Sequence, residues 1–74
     1  MNQELDVTGL KCPLPILRAK KALAALQSGD CLTVLATDAA APEDFAAFCR
    51  QTGHVLLDNE TLADGVFRLV IEHK

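Results

Sequence analysis

Cys12 stands directly before Pro13-Leu14-Pro15, and an amphipathic run with helical spacing begins at once. A cysteine is a nucleophile as its thiolate, so its reactivity depends on what surrounds the sulfur. Proline is tolerated in a helix's first turn because the N–H it lacks would have no acceptor there. The sequence therefore predicts Cys12 at the N-cap, Pro13 at the first helical position and Pro15 at the third. Helix caps are normally Ser, Thr, Asp or Asn, so a cysteine there calls for a chemical reason. The positive end of a helix dipole lowers a thiol's pKa from its ordinary value of about 8.5. Lys11 adjoins the sulfur and Arg18 follows one to two turns on, both adding positive field. Pro15 has no N–H, which leaves Leu14 as the only ordinary capping donor. The expectation is one exposed, ionisable sulfur in a rigid, partly apolar collar. The plain alternative, a small buried hydrophobe that happens to precede a helix, fits the Pro-x-Pro context less well.

The other chemistry-bearing residues offer less. Cys12, Cys31 and Cys49 are three in number and widely spaced, which makes neither a disulfide framework nor paired metal knuckles. Position 15 is proline, so there is no Cys-x-x-Cys for a dithiol cycle. No metal site is expected, because Cys49 and His54 lack a second ligand pair at zinc spacing. His73 is expected in a loose C-terminal tail. A Cys–His pair meeting in space is given little weight. Asp38 either ends a strand or tunes the surroundings of the thiol.

The elements that must position Cys12 follow from periodicity. Glu4-Leu5-Asp6-Val7 alternates, predicting a short strand with Leu5 and Val7 inward. Thr8-Gly9 breaks it. The first helix is predicted to run to about Gln27 with Ile16, Ala19, Leu23 and Leu26 on the buried face, and Gly29 is placed as its left-handed C-terminal residue. Leu17 falls off that face beside Lys21. An exposed leucine is ordinary, but next to a nucleophile it is also a candidate docking point. Cys31–Ala36 is predicted as a strand with Leu32, Val34 and Ala36 covered. A second helix is predicted from Pro42 to about Thr52, with Glu43 and Asp44 in its first turn. Its inward stripe is Phe45, Phe48, Cys49 and Thr52, and Gly53 ends it. Positions 54–60 and 66–72 read as strands joined through a turn at Ala63-Asp64-Gly65, the last strand interior. Cys31 and Cys49 are thereby structural.

The order is β-α-β-α-β-β. Right-handed crossovers put both helices on one face of a mixed four-stranded sheet, giving an α+β fold, a two-layer α/β sandwich. Residues 1–74 are expected to form a single small domain with an aliphatic core, in which Phe45, Phe48 and Phe67 are the large pieces. Apolar stretches are too short to cross a bilayer and no signal peptide is evident, so a cytoplasmic protein is expected. Lys11, Arg18, Lys20 and Lys21 carry four of the seven basic charges, yet the net charge is −3 and no aromatic residue interleaves them. Direct nucleic-acid recognition is not expected. The patch is either a solvated helix face, the simpler reading for Lys20 and Lys21, or a field that steers an acidic partner.

Leu5-Asp6-Val7-Thr8-Gly9-Leu10-Lys11-Cys12-Pro13-Leu14-Pro15 resembles the N-terminal signature of the TusA/SirA-like sulfur-carrier family. The resemblance extends to Gly29, Thr37-Asp38, Asp44-Phe45, Phe48-Cys49 and the closing hairpin. It implies a persulfide relay without turnover of its own and without a cofactor. Cys12 would accept sulfane sulfur from a cysteine desulfurase or rhodanese-like donor and pass it to a downstream acceptor protein serving tRNA 2-thiolation, molybdenum cofactor synthesis or sulfur oxidation. Pro13, Leu14, Pro15, Lys11 and Asp38 would support the sulfur, and Leu17, Arg18 and Lys21 would contact partners. The competing expectations are a non-catalytic interaction module docking through the N-terminus of the first helix, and a thiol redox sensor.

Overall fold

Alternating apolar residues and two amphipathic runs assemble, in a computed structural model describing residues 1–74, into one sheet covered by two helices. The elements are β1 (Asn2–Val7), α1 (Leu14–Ala24), β2 (Cys31–Ala36), α2 (Ala41–Thr52), β3 (Val55–Thr61) and β4 (Phe67–Glu72), with a single 3-10 turn at Ala63–Gly65 before β4. The strand order is β1-β2-β4-β3. β1 runs parallel to β2, and β4 runs antiparallel to both neighbours. β4 is thus interior, as its nearly continuous apolar run requires, and the sheet is mixed.

The alternation of β2 is expressed in full. Leu32, Val34 and Ala36 are completely buried under the helices, while Cys31, Thr33 and Leu35 on the other face are half-exposed. Val7, Leu69 and Ile71 join them from the neighbouring strands, and Ala19, Leu23, Leu26, Phe45, Phe48 and Cys49 close the core from the helical side. Phe45 is fully buried and is the largest side chain at its centre. Burying such a side chain contributes about 1.5–3 kcal/mol. Phe67 is only half-buried and packs at the margin of this cluster. Ile16 and Leu5 are likewise half-buried, on the inward side as expected.

Several boundaries differ from the sequence expectation for local reasons. α1 stops at Ala24, not Gln27: the N–H groups of Ala25 and Leu26 bond back only three residues, to Ala22 and Leu23. Asp30 then fixes the exit, its Oδ2 accepting the Gln27 N–H at 2.9 Å. Gly29, at φ +90°, serves the turn into β2 instead of capping the helix. α2 begins at Ala41, with Ala40 as cap and Pro42 in the second position. It ends on Gly53 at φ +90°, whose N–H donates to the Cys49 carbonyl. β1 starts earlier than expected, and β3 and β4 each start one residue later.

The C-terminal residues are not loose. His73 donates its N–H to the Asp30 carbonyl at 2.8 Å and accepts the Gly29 N–H at 2.9 Å. Lys74 N–H donates to His54 Nδ1 at 3.1 Å. Tail residues are free only where the fold offers no partner, and here the turn before β2 supplies one.

Candidate functional site around Cys12

The parallel pairing of β1 and β2 delivers both chain segments to one end of the sheet, Val7 opposite Ala36. The loops that follow meet there. Asp6 Oδ1 accepts both the N–H and the hydroxyl of Thr8, at 2.9 and 2.7 Å, which turns the chain out of β1. Gly9, at φ +80°, donates its N–H to Thr37 Oγ1 at 2.8 Å. Cys12 donates its N–H to Asp38 Oδ2 at 2.9 Å. Thr37 and Asp38 therefore hold the cysteine loop by its backbone from the neighbouring strand end.

Cys12 is exposed, and all three cysteines are free thiols. Cys31 is half-buried and Cys49 is buried in the core. The cap assignment needs correcting. α1 starts at Leu14 with Pro13 as its N-cap and Pro15 in the second position, so Cys12 lies one residue before the cap. The Cys12–Pro13 peptide is cis. No side chain caps the helix. Leu14 N–H donates to the Lys11 carbonyl at 2.9 Å instead of serving the sulfur.

The electrostatics also reverse the expectation of a thiolate. The Cys12 thiol is held above its ordinary value, first by the influence of the Asp44 side chain, then by desolvation, then by the charges of Asp44 and Asp38. A neighbouring negative charge disfavours the anion. Lys11 lies beside Cys12 in sequence, and the adjacent helix end is positive, yet the two acids brought in from the β2–α2 side win. Cys49 is also pushed up, by burial alone.

Local sequence assigns Thr37 and Asp44 no role at Cys12. The signal that finds them is topological: in a β-α-β unit with parallel neighbours, both helices start at the same sheet end, so the first turn of α2 faces the loop before α1. The histidines go elsewhere. Val55 pairs with Glu72, and Glu72 with Cys31, so His54 and His73 lie at the opposite end of the sheet from Cys12. Their rings pack edge-on with centroids 4.7 Å apart. Together with Leu23, Phe48 and the Lys20 and Lys74 side chains they border a shallow groove of about 270 Å³. No Cys12–His pair is brought together.

On α1, Leu14 and Leu17 are exposed, at 44% and 52%, next to exposed Arg18 and Lys21. Their spacing of three, four and seven residues puts all four on one stripe, turned away from the core.

The family model described as "Sulfurtransferase TusA" matches residues 3–73. The chain belongs to the TusA family. Among curated TusA relatives, a putative sulfur carrier protein of Neisseria meningitidis serogroup A is 76% identical over 75 aligned residues, covering 100% of both chains. The sulfur carrier protein TusA of Allochromatium vinosum is 51% identical over 71 residues, covering 96% of this chain and 92% of that one. The crystal structure of a SirA-like protein from Desulfitobacterium hafniense superposes with a TM-score of 0.85 at 30% identity, over 95% of each chain. The fold expected from the β-α-β-α-β-β order is therefore that of a solved relative.

Proposed function

We propose that this protein carries sulfane sulfur as a persulfide on Cys12, between a cysteine desulfurase or rhodanese-like donor and a downstream acceptor protein. The observation that carries the reading is a free, exposed Cys12 at the head of α1 in a chain of the TusA family. Cys12 Sγ attacks the outer sulfur of the donor persulfide, the donor's S–S bond breaks, and its inner sulfur leaves as the thiolate. The proton Cys12 gives up ends on that thiolate. An acceptor thiolate then attacks the outer sulfur held on Cys12, which returns to its starting state. No net oxidation occurs in either step. The acceptor is the protein that feeds tRNA 2-thiolation, molybdenum cofactor synthesis or sulfur oxidation.

A persulfide is lost if a nearby thiol attacks it to form a disulfide. Cys49, buried in the core, and Cys31, at the opposite end of β2 from the Cys12 loop, are both poorly placed to do so. Leu14, Leu17, Arg18 and Lys21 form the face on which donor and acceptor dock in turn, with Lys11, Pro13 and Pro15 shaping the approach. Incubation with a cysteine desulfurase and cysteine, followed by intact-mass measurement, tests the reading. The native protein gains one sulfur that a reductant removes. An unchanged mass, or equal gain by Cys12→Ala, contradicts it.

The exposed Leu14 and Leu17 also favour a second reading, a non-catalytic module that docks a regulator through the same stripe. Cys12→Ser then leaves cellular function intact while Leu17→Asp abolishes it. The carrier reading requires both substitutions to abolish it.

A further inference from the structure

The groove of about 270 Å³ at the end of the sheet away from Cys12 takes no part in the sulfur chemistry. Its base is apolar, formed by the buried Leu23 of α1 and Phe48 of α2. Its edge is basic. Lys20 and Lys74 contribute ammonium groups, His54 and His73 contribute imidazoles, and no acidic side chain lines it, in a chain whose net charge is −3. The acids of the surrounding elements are turned elsewhere. α1 has none, and those of α2, Glu43 and Asp44, sit in its first turn at the Cys12 end. Asp30, whose carboxylate feels the His73 charge, is held by the Met1 amine at 2.7 Å and the Gln27 N–H at 2.9 Å. Glu72 alternates with buried Ile71 on β4 and so lies on the sheet face that the helices leave open. The two imidazoles are oriented by Lys74. His54 Nδ1 accepts the Lys74 N–H at 3.1 Å, so its neutral ring carries the proton on Nε2. His73 Nδ1 lies 2.8 Å from the Lys74 carbonyl oxygen, which only accepts, so its proton is on Nδ1. Neither Nε2 has a partner within the protein. His54 therefore offers an N–H as it stands, and His73 offers a second on protonation.

We infer that this groove docks an acidic segment of a partner protein, with an apolar side chain against Leu23 and Phe48 and carboxylates on the basic edge. Sites that engulf a small molecule are larger, about 300–1,000 Å³, and enclose most of their ligand. A shallow groove of this size suits a side chain presented on a larger partner, and its charge selects an acidic one. Carboxylates set against His54 and His73 favour the charged imidazoles, so binding tightens as pH falls through the imidazole range. In the free protein the His54 cation is disfavoured by burial and by the charges of His73 and Lys74, a field that an acidic segment offsets. A partner held here leaves Cys12 open at the opposite end, so the chain can be retained on one surface while it presents its thiol on another. The docking does not rest on the persulfide-carrier reading.

The test titrates the isotope-labelled full chain with a synthetic peptide, Glu-Asp-Phe-Glu-Leu-Asp, acetylated and amidated at its ends, and follows the NMR signals. The amides of Phe48, Thr52, His54 and His73 should shift and saturate, while those of Leu14 and Leu17 beside Cys12 stay in place. The same peptide with Gln and Asn for its acids, or with Gly for its Phe and Leu, should bind about tenfold more weakly. Added salt should weaken binding to the native protein, a measurement that needs no variant. Lys20→Glu combined with Lys74→Glu should weaken it by about tenfold. Both imidazole titrations should move to higher pH in the complex. Absence of saturable shifts in the groove, shifts confined to Leu14 and Leu17, or equal binding of the uncharged peptide overturns the proposal. Groove signals that shift on concentrating the chain alone identify a second copy as the occupant and overturn it as well. The two readings fail separately. A native protein that the desulfurase cannot load, yet binds the peptide in the groove, refutes the relay alone. A protein that loads normally but leaves the groove signals unmoved refutes the docking alone.

Discussion

Asp38 uses both carboxylate oxygens on the backbone, one at Cys12 and one at Ala40, and so ties the cysteine loop to the start of α2. Asp38→Ala removes two acceptors at a solvent-accessible site where water substitutes in part. The expected cost is about 1 kcal/mol in chemical denaturation, together with faster amide exchange at Cys12 and Ala40. The residue type and its place at the end of β2 were legible in the sequence. Its actual partner, a backbone N–H and not the sulfur, was not, because that bond spans 26 residues and exists only once β1 and β2 pair. The same holds for the polarity of the thiol. Lys11, Arg18 and the helix end are local to Cys12 in the sequence, whereas Asp44 arrives by tertiary packing. The three cysteines should separate in reactivity. Under native conditions Cys12 is alkylated first, and Cys49, buried and pushed up, reacts only on unfolding. Mass mapping of a timed alkylation checks this, and early labelling of Cys49 would contradict the placement of α2.

At the scale of elements, helix and strand identity followed from the period of the apolar residues, and each boundary missed was set by hydrogen bonds. Leu32, Val34 and Ala36 alternate, and all three are fully buried. Phe45, Phe48 and Cys49 line one stripe of α2 and close the core. The ends of α1 depart from the apolar period because Leu14 N–H turns to Lys11 and because Asp30 captures the Gln27 N–H, neither of which leaves a mark in local periodicity. Gly53 was legible, and its φ of +90° explains why. Gly53→Ala forces a side chain into the left-handed region and brings its Cβ to 3.3 Å from Lys74 Cδ. It should cost about 1 kcal/mol. Phe45→Ala empties the centre of the core and should cost about 3–5 kcal/mol, enough to leave so small a domain largely unfolded. Thermal melts followed by circular dichroism measure both.

For the whole molecule, acid lability should come in two stages. Burial, then the charges of His73 and Lys74, hold His54 below its ordinary value of 6.5. The unfolded chain therefore binds this proton more readily than the folded one, and the contribution of neutral His54 is complete above 6.5 and lost as pH falls through its lowered value. Asp6, held down by the Thr8 hydroxyl and N–H, and Asp30, held down by the Met1 amine and the Gln27 N–H, follow. Their contributions are complete above 3.8 and are lost as pH falls further. Denaturation midpoints measured across this range should show both declines, with His54→Gln removing the first and sparing the second. The contacts of His54 and Asp30 lie at the opposite end of the sheet from Cys12, whereas the Asp6–Thr8 turn leads into the cysteine loop.

The most direct measurement is to locate the cargo. The native protein is supplied with isotopically labelled cysteine and a cysteine desulfurase, trapped with an alkylating agent and digested, and the label is assigned among the peptides bearing Cys12, Cys31 and Cys49. The account predicts label on the Cys12 peptide alone, released by reductant. Label shared with Cys31 or Cys49, or none on Cys12, would contradict it.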